Sequence, residues 1–371
     1  MKMLIGWGSW EAGPEKIKKH CGYNSSKSAR PLQSGEKAEV STKGRLDISK
    51  ASGKGPAAPP LDSAAPQVNI VPPSLSPSTR NRNTMANLER RRMGRTEMRP
   101  KALGLGAAFI CHNTPEETIT TIHRALELGI DYFDTYPGHQ EERWGEALSG
   151  TPRDQFYLQA KVGPHPERPK DFSGATTRWS VENSLRLLRV DYLDAVLIHD
   201  PPDIEDPLGP GRALDELLAM RQEGLVRHIG LGVREHEFHQ RAIETGHIDI
   251  VLTFLDYTLL DQSVALTTMP LARRKGVGLI LASVFGMGRL TGLEPDRSGE
   301  LRAWTMWQWC QERDIDIRHL AMQFCLGAPI DGIVMSGPAD QQQFEEAYEA
   351  ATADIDPEIW EEFEEEFGVS P

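Results

Sequence analysis

A closed (β/α)₈ barrel behind a low-complexity N-terminal extension is the α/β fold class this sequence predicts. Three observations carry the prediction. From about residue 90 onward, short apolar blocks alternate with stretches of helical period, about eight times over. No hairpin signal interrupts that alternation. The chain has 371 residues, and about 250 suffice for one such barrel. An open doubly wound sheet carries the same rhythm, but Gly104-Leu-Gly106 lacks the Gly-x-Gly-x-x-Gly spacing of its phosphate turn.

The chain divides at about residue 84. Residues 1–84 are rich in Ser, Pro, Gly, Lys and Ala and lack periodicity, so they are expected to form a disordered extension that cannot bury enough apolar surface to offset ordering entropy. Met85-Ala-Asn-Leu-Glu-Arg90 reads as a more ordinary start. The upstream part is then either translation from an earlier start codon or a targeting or linker arm. Its likeness to a transit peptide is diluted by Glu11, Glu15 and Glu36. Residues 85–371 are expected to form the barrel.

Taken in order, a turn at 94–100 precedes a first strand at 102–106. Thr114-Pro-Glu-Glu117 spells a capping box with Pro at the first helical position, opening a helix to about 128. Strand 130–133, helix 140–149, strand 156–160, helix 176–189, strand 194–198 and helix 211–223 follow. The rest alternates likewise: strand 226–231, helix 235–245, strand 248–254, helix 263–275 and strand 277–282. Helices over 300–313 and 317–326, strand 332–335 and helix 340–351 complete the ring, with an acidic helix at 361–367 outside it.

Composition narrows the function classes. Formal charge is −13, yet the first hundred residues carry about ten excess basic groups, leaving an acidic body that argues against nucleic acid or an anionic membrane as partner. Cys21, Cys111, Cys310 and Cys325 are scattered without a CxxC pair, as expected of reduced thiols and a cytoplasmic setting. The apolar opening is too short for a signal peptide, and no segment has the length to span a bilayer.

The C-terminal rim of a barrel hosts its chemistry, so polar residues where strands end are the first candidates. Asp134, Lys161 and His199 stand at the ends of three successive strands and deliver a carboxylate, an ammonium and an imidazole to one rim. Each alone has a plainer reading as a loop cap, a snorkelling lysine or a core imidazole. His236 and His239 lack a third metal ligand, so no metal site is expected. Trp304, Trp307 and Trp309 read as a helix face packed on the barrel, and Arg90-Arg-Arg92 as a solvated basic patch.

From about Met93 to Ala351 the chain resembles the aldo/keto reductase superfamily, nearest its aldose and sugar 1-dehydrogenase-like branch. The resemblance rests on Leu103-Gly-Leu-Gly106, Tyr132-Phe-Asp-Thr135, Glu141-Glu-Arg-Trp-Gly-Glu-Ala-Leu148, Lys161-Val-Gly163 and Asp194-Ala-Val-Leu-Ile-His199. Gly224-Leu-Val-Arg-His-Ile-Gly230, Tyr257-Thr-Leu-Leu-Asp261 and Ser283-Val-Phe-Gly-Met-Gly-Arg-Leu-Thr-Gly292 extend it. It implies hydride transfer between a nicotinamide and a small carbonyl or alcohol (aldehyde, ketone or sugar), by an Asp-Tyr-Lys-His tetrad of which Asp134, Lys161 and His199 supply three. A phenol needs a neighbouring cation before it can relay protons near neutral pH.

The fourth position departs from the pattern. The family's Tyr stands five residues past the Asp, where this chain has His139, in a loop two or three residues shorter. Tyr136 is the favoured acid, because counting back from the helix brings it within one residue of the expected place. His139 as a substitute acid and the absence of any acid stand beside it. The resemblance further implies that Tyr257 stacks on the nicotinamide, that Ser283, Gly286 and Gly288 cradle the pyrophosphate, and that Asp340 and Gln343 flank the adenosine ribose. Gly232-Val233 replaces the usual Ser-Asn pair that holds the carboxamide. The run 336–346 contains no cation for a 2′-phosphate, so NAD is slightly preferred to NADP. A dinucleotide-binding sensor or regulatory barrel, impaired in catalysis, is the rival function. A third reading is a barrel using His139, Lys161 and His199 for proton transfer without hydride.

Overall fold

The computed structural model describes residues 88–371; the expectations for 1–84 and for a start at Met85 lie outside the described residues. Eight parallel strands close in sequence order into a barrel. They are β1 (Leu103–Gly106), β2 (Tyr132–Asp134), β3 (Tyr157–Val162), β4 (Leu193–His199), β5 (Val226–Gly232), β6 (Ile250–Phe254), β7 (Gly278–Ala282) and β8 (Gly332–Ser336). The helices between them are α1 (Pro115–Glu127), α2 (Glu141–Leu148), α3 (Gly174–Leu188), a short α4 (Glu205–Leu208) and α5 (Ala213–Gln222). Then come α6 (His236–Glu244), α7 (Thr268–Lys275), α8 (Leu301–Glu312), α9 (Ile317–Leu326), α10 (Gln341–Thr352) and α11 (Pro357–Phe367).

Local chemistry explains the boundaries. The capping box at α1 forms as spelled: Thr114 Oγ1 accepts from the Glu117 amide at 3.3 Å, and Glu117 Oε2 accepts from the Thr114 amide at 2.9 Å. Such a cap contributes about 1 kcal/mol. The helix expected over 263–275 is split, with a 3₁₀ turn at Ser263–Leu266 before α7. Pro270 explains the split, since its ring clashes with the preceding turn of an α-helix. The final helix begins at Pro357 rather than 361, behind an Asp356 cap that accepts from the Glu358 amide at 3.0 Å. The short α4 was not expected from the sequence.

Strand side chains alternate between two cores. Outward residues such as Phe133, Leu158, Val196, Ile198 and Leu281 pack against the helices. Inward residues, including Tyr132, Leu197, Leu252, Ile280 and Met335, fill the barrel with Met93 and Met98. Those two methionines belong to the turn before β1, tied by an antiparallel bridge between Arg90 and Lys101. The turn lies so close to β7 that a Cβ on Gly94 (φ +52°) would stand 2.2 Å from the Gly278 nitrogen.

At the opposite end from the rim, buried aspartates at the starts of β2, β4 and β6 are clamped by arginines. Arg90 meets Asp131 at 2.5 Å, Arg153 meets Asp194 at 2.5 Å and Arg95 meets Asp249 at 2.8 Å. Arg91 donates to the Leu326 carbonyl at 2.6 Å and Arg92 to that of Gly94 at 2.6 Å. Two of the triplet read as a solvated patch are therefore structural stitching, since Arg90 and Arg91 find partners far away in the chain, while Arg92 is exposed and bonds only locally. The tryptophans also divide their roles. Trp309 is buried and meets Phe363 of α11 edge to face at 5.2 Å between centroids. Trp304 and Trp307 instead bond Glu294 and the Gly292 carbonyl, at 3.0 and 2.9 Å, in the loop after β7. No helix among the described residues is long and apolar enough to cross a membrane.

Candidate active site

Alternation along the strands decides which side chains reach the barrel mouth. In β2, Tyr132 faces in and Phe133 out, so Asp134 faces in at the rim. The same parity turns Gln159 and Lys161 of β3 and His199 of β4 inward. Lys161 Nζ lies 2.6 Å from both carboxylate oxygens of Asp134 and donates to the Thr135 carbonyl at 3.0 Å. Asp134 Oδ1 also accepts from Gln159 Nε2 at 2.6 Å, and Gln159 Oε1 accepts from the Tyr132 hydroxyl at 2.7 Å. This line from Tyr132 to Lys161 is buried throughout, and an ion pair in such a place is stable only with its remaining valences bonded. Gln159 was missed in the sequence, although its in-facing parity with Lys161 marks it.

Tyr136 joins the group. Its ring centroid stands 5.0 Å from Lys161 Nζ, and it meets the His199 ring edge to face at 5.2 Å. His139 also meets the phenol ring edge to face, at 4.8 Å between centroids. Burial and the Lys161 charge hold His199 well below the ordinary imidazole range, so it is neutral. Burial, together with His112, His165 and Lys161, also lowers His139. The loop carrying both residues ends at Gln140, in the left-handed region at φ +64°. It is held from behind by Glu141, a fully buried carboxylate that accepts from Thr135 Oγ1 at 3.3 Å and from Ser184 Oγ at 3.1 Å.

Elsewhere on the rim the expected residues fall differently. Tyr257 is 7% exposed and belongs to the layer between barrel and helices, its ring stacked on Phe324 at 4.8 Å. The structure does not bring it to the group around Lys161. Phe254 stands at the in-facing end of β6; beside it in register is Ala282 of β7. After Ala282, Ser283, Gly286, Met287 and Gly288 all take positive φ, at +57°, +62°, +56° and +96°. The amides of Met287 and Gly288 donate to no acceptor among the described residues. Arg289 lies alongside, its Nε donating to the Gly286 carbonyl at 2.7 Å. Unpaired amides beside a guanidinium fit a phosphate-bearing cofactor.

Asp340 and Gln343 serve the start of α10. Asp340 Oδ1 accepts from the Gln343 amide at 2.8 Å, and Gln343 Oε1 accepts from the Ala339 amide at 2.9 Å. Of the pair read as an incomplete metal site, His236 bonds Asp256 at 2.9 Å, and His239 bonds Thr268 at 2.7 Å and the Val233 carbonyl at 2.8 Å. No cluster able to hold a metal ion occurs among the described residues.

Residues 102–366 match the sequence model of the aldo/keto reductase family. The chain is 28% identical over 306 residues to the D-threo-aldose 1-dehydrogenase of a Pseudomonas species, covering 71% of this chain and 93% of that protein. It is 29% identical over 287 residues to the L-galactose dehydrogenase of Arabidopsis thaliana, covering 72% and 89%. Among solved structures, the holo form of the aldo-keto reductase AKR11C1 from Bacillus halodurans superposes with a TM-score of 0.64 at 23% identity, covering 76% of this chain and 96% of that one. That likeness supports the fold.

Proposed function

This chain belongs to the aldo/keto reductase family, and from that premise we propose that its barrel mouth oxidises C1 of an aldose to the lactone, or reduces a small aldehyde to its alcohol, with Tyr136 moving the proton. One observation carries the reading: the phenol ring lies 5.0 Å from an ammonium that is itself locked to Asp134. A cation so placed favours phenolate, and an immobile cation does so without reorganising as the proton moves. Asp134 and Gln159 orient Lys161. His199, neutral and against the phenol, aligns the substrate oxygen. A nicotinamide dinucleotide supplies or accepts the hydride when bound.

The residues that would hold the dinucleotide are Ser283, Gly286 and Gly288, with Met287 contributing its amide and Arg289 its charge. Phe254 takes the wall that Tyr257 was expected to form. NAD is preferred to NADP in this reading. Asp340 is exposed beside the end of β8, and two cations that reach α10 are already paired: Arg318 with both Asp316 and Glu346, and Arg124 with Glu345, all at 2.6 Å. A 2′-phosphate would meet acid before base. Buried thiols at Cys310 and Cys325 extend the reading to a reducing compartment such as the cytosol; recovery of the native protein from an oxidising compartment would count against that extension.

The experiment is turnover of a panel of aldoses and simple aldehydes with each nicotinamide, followed by absorbance of the reduced ring. The reading expects turnover with at least one aldose and a lower KM for NAD. Dinucleotide binding without turnover of any substrate would favour a sensor.

A further inference from the structure

We propose that His139 is a specificity residue of this mouth, its imidazole reading the hydroxyl on the carbon next to the reacting one. Substrates with that hydroxyl are then taken in preference to deoxy sugars and plain aldehydes. The proposal rests on the oxidoreductase reading above for its reacting carbon. One backbone turn carries it. In Tyr136-Pro137-Gly138-His139 the His139 amide donates to the Tyr136 carbonyl at 3.1 Å, and Gly138 takes φ +74°. Proline second and a left-handed glycine third are the pattern of a type II turn, which brings its first and last Cα atoms within about 7 Å. The two side chains meet accordingly, their rings edge to face with 4.8 Å between centroids and 77° between planes. A short Pro-Gly turn thus fastens an imidazole to the phenol that moves the proton.

The turn is held in place on both flanks. A Cβ on Gly138 would stand 2.3 Å from Pro166 Cδ, so the β3–α3 loop lies directly against it. Just before the turn, the Thr135 carbonyl accepts from Lys161 Nζ at 3.0 Å. His139 itself is half-buried, and its ring nitrogens form no hydrogen bond among the described residues. It differs in this from His236 and His239 on the same rim, whose nitrogens are all bonded.

The chemistry of the ring suits a hydroxyl. Burial, with His112, His165 and Lys161 nearby, holds His139 below the ordinary imidazole range and so neutral. A neutral imidazole has one donor and one acceptor nitrogen, and a hydroxyl also donates once and accepts. With the oxygen on C1 at the phenol, the hydroxyl on C2 is the next polar group of an aldose, and the ring packed on the phenol is placed to meet it. A methyl or methylene at that carbon leaves the imidazole without a partner in a half-buried place, which costs binding. A site that bonds a substrate hydroxyl discriminates against analogues lacking it.

The test compares kcat/KM for glycolaldehyde with that for acetaldehyde, and for the best aldose of the panel with that for its 2-deoxy counterpart. It is run on the wild type, His139→Phe and His139→Gln. A ratio between two substrates cancels any loss of folded protein. Phenylalanine keeps a ring against the phenol but cannot bond, so the preference for the hydroxylated member should fall by about tenfold or more. Glutamine brings a donor and an acceptor and should retain most of the preference. A fall of less than about threefold in His139→Phe, or an equal fall in His139→Gln, overturns the proposal. If no substrate turns over, the oxidoreductase reading fails by itself, and calorimetry of galactose and 2-deoxygalactose with NAD⁺ present decides this one. Tighter binding of galactose that is lost in His139→Phe upholds it; equal binding of the two sugars, or none, overturns it.

Discussion

Thr135 Oγ1 donates to Glu141 Oε1 at 3.3 Å, so the two ends of the loop carrying Tyr136 are joined by a bond between them. The Thr135 carbonyl, at the same end, accepts from Lys161. The loop is thus registered against the ammonium from one side and against the helix layer, through Ser184, from the other.

Glu141 makes stability depend on pH. Burial raises it to about 7 from 4.5, against bonds from Ser184 and Thr135 that lower it. With the folded value above the unfolded one, the native state binds more protons between these limits, so stability falls as pH rises from about 4.5 to about 7 and then levels. Glu141→Gln removes the ionisation. Urea unfolding is expected to show a variant that loses less stability than the wild type between pH 5 and pH 8, by a few kcal/mol at most. An identical pH slope in the two proteins would show that Glu141 stays ionised.

Lys161→Met should cost activity and stability together. It strands Asp134, 6% exposed, with Gln159 as its remaining side-chain donor. Breaking a buried pair from one side costs about 3–5 kcal/mol, and losing the cation beside the phenol should lower kcat by about a hundredfold or more. Dinucleotide quenching of tryptophan fluorescence should survive in whatever fraction folds. Wild-type turnover would remove Lys161 from the mechanism.

The two candidate acids separate by mutation. Tyr136→Phe keeps the ring against His199 and Lys161 and removes the hydroxyl, so kcat should fall by about a hundredfold or more. His139→Gln should change kcat by no more than about threefold, because the ring set 5.0 Å from the Lys161 ammonium is the phenol, which the imidazole meets edge to face. The reverse ranking would make His139 the acid.

Phe254 and Tyr257 are predicted to exchange the roles that the sequence suggested. Phe254→Ala should weaken NADH binding by about tenfold, in keeping with one lost aromatic contact. Tyr257→Ala should leave the dissociation constant of its folded fraction unchanged and cost about 3–5 kcal/mol of stability, as large-to-small core substitutions do. Fluorescence titration and thermal melting read both.

The barrel, and the turning of three candidate residues to one rim, were legible because they rest on short-range pattern. Strand parity alone turns Asp134, Lys161 and His199 to one rim, and it would also have chosen Phe254 over Tyr257, since Ile250, Leu252 and Phe254 share a face. A family motif drew attention to Tyr257 instead. What stayed hidden depends on contacts remote in sequence or on single backbone angles. Arg91 finds its acceptor at Leu326, and the positive φ of Gln140 and Asp200 directs the loops that decide which ring meets which. Neither periodicity nor composition reports such angles.

The central claim is that hydrogen moves directly from substrate carbon to nicotinamide at this mouth. Oxidation of an aldose deuterated at C1 tests it most directly, with NAD⁺ as acceptor and the reduced nicotinamide recovered for mass analysis. The account predicts that the deuterium arrives at the nicotinamide ring in the wild type and that Lys161→Met transfers it about a hundredfold or more slowly. Deuterium washed into solvent, or an equal rate of transfer by the variant, would contradict it.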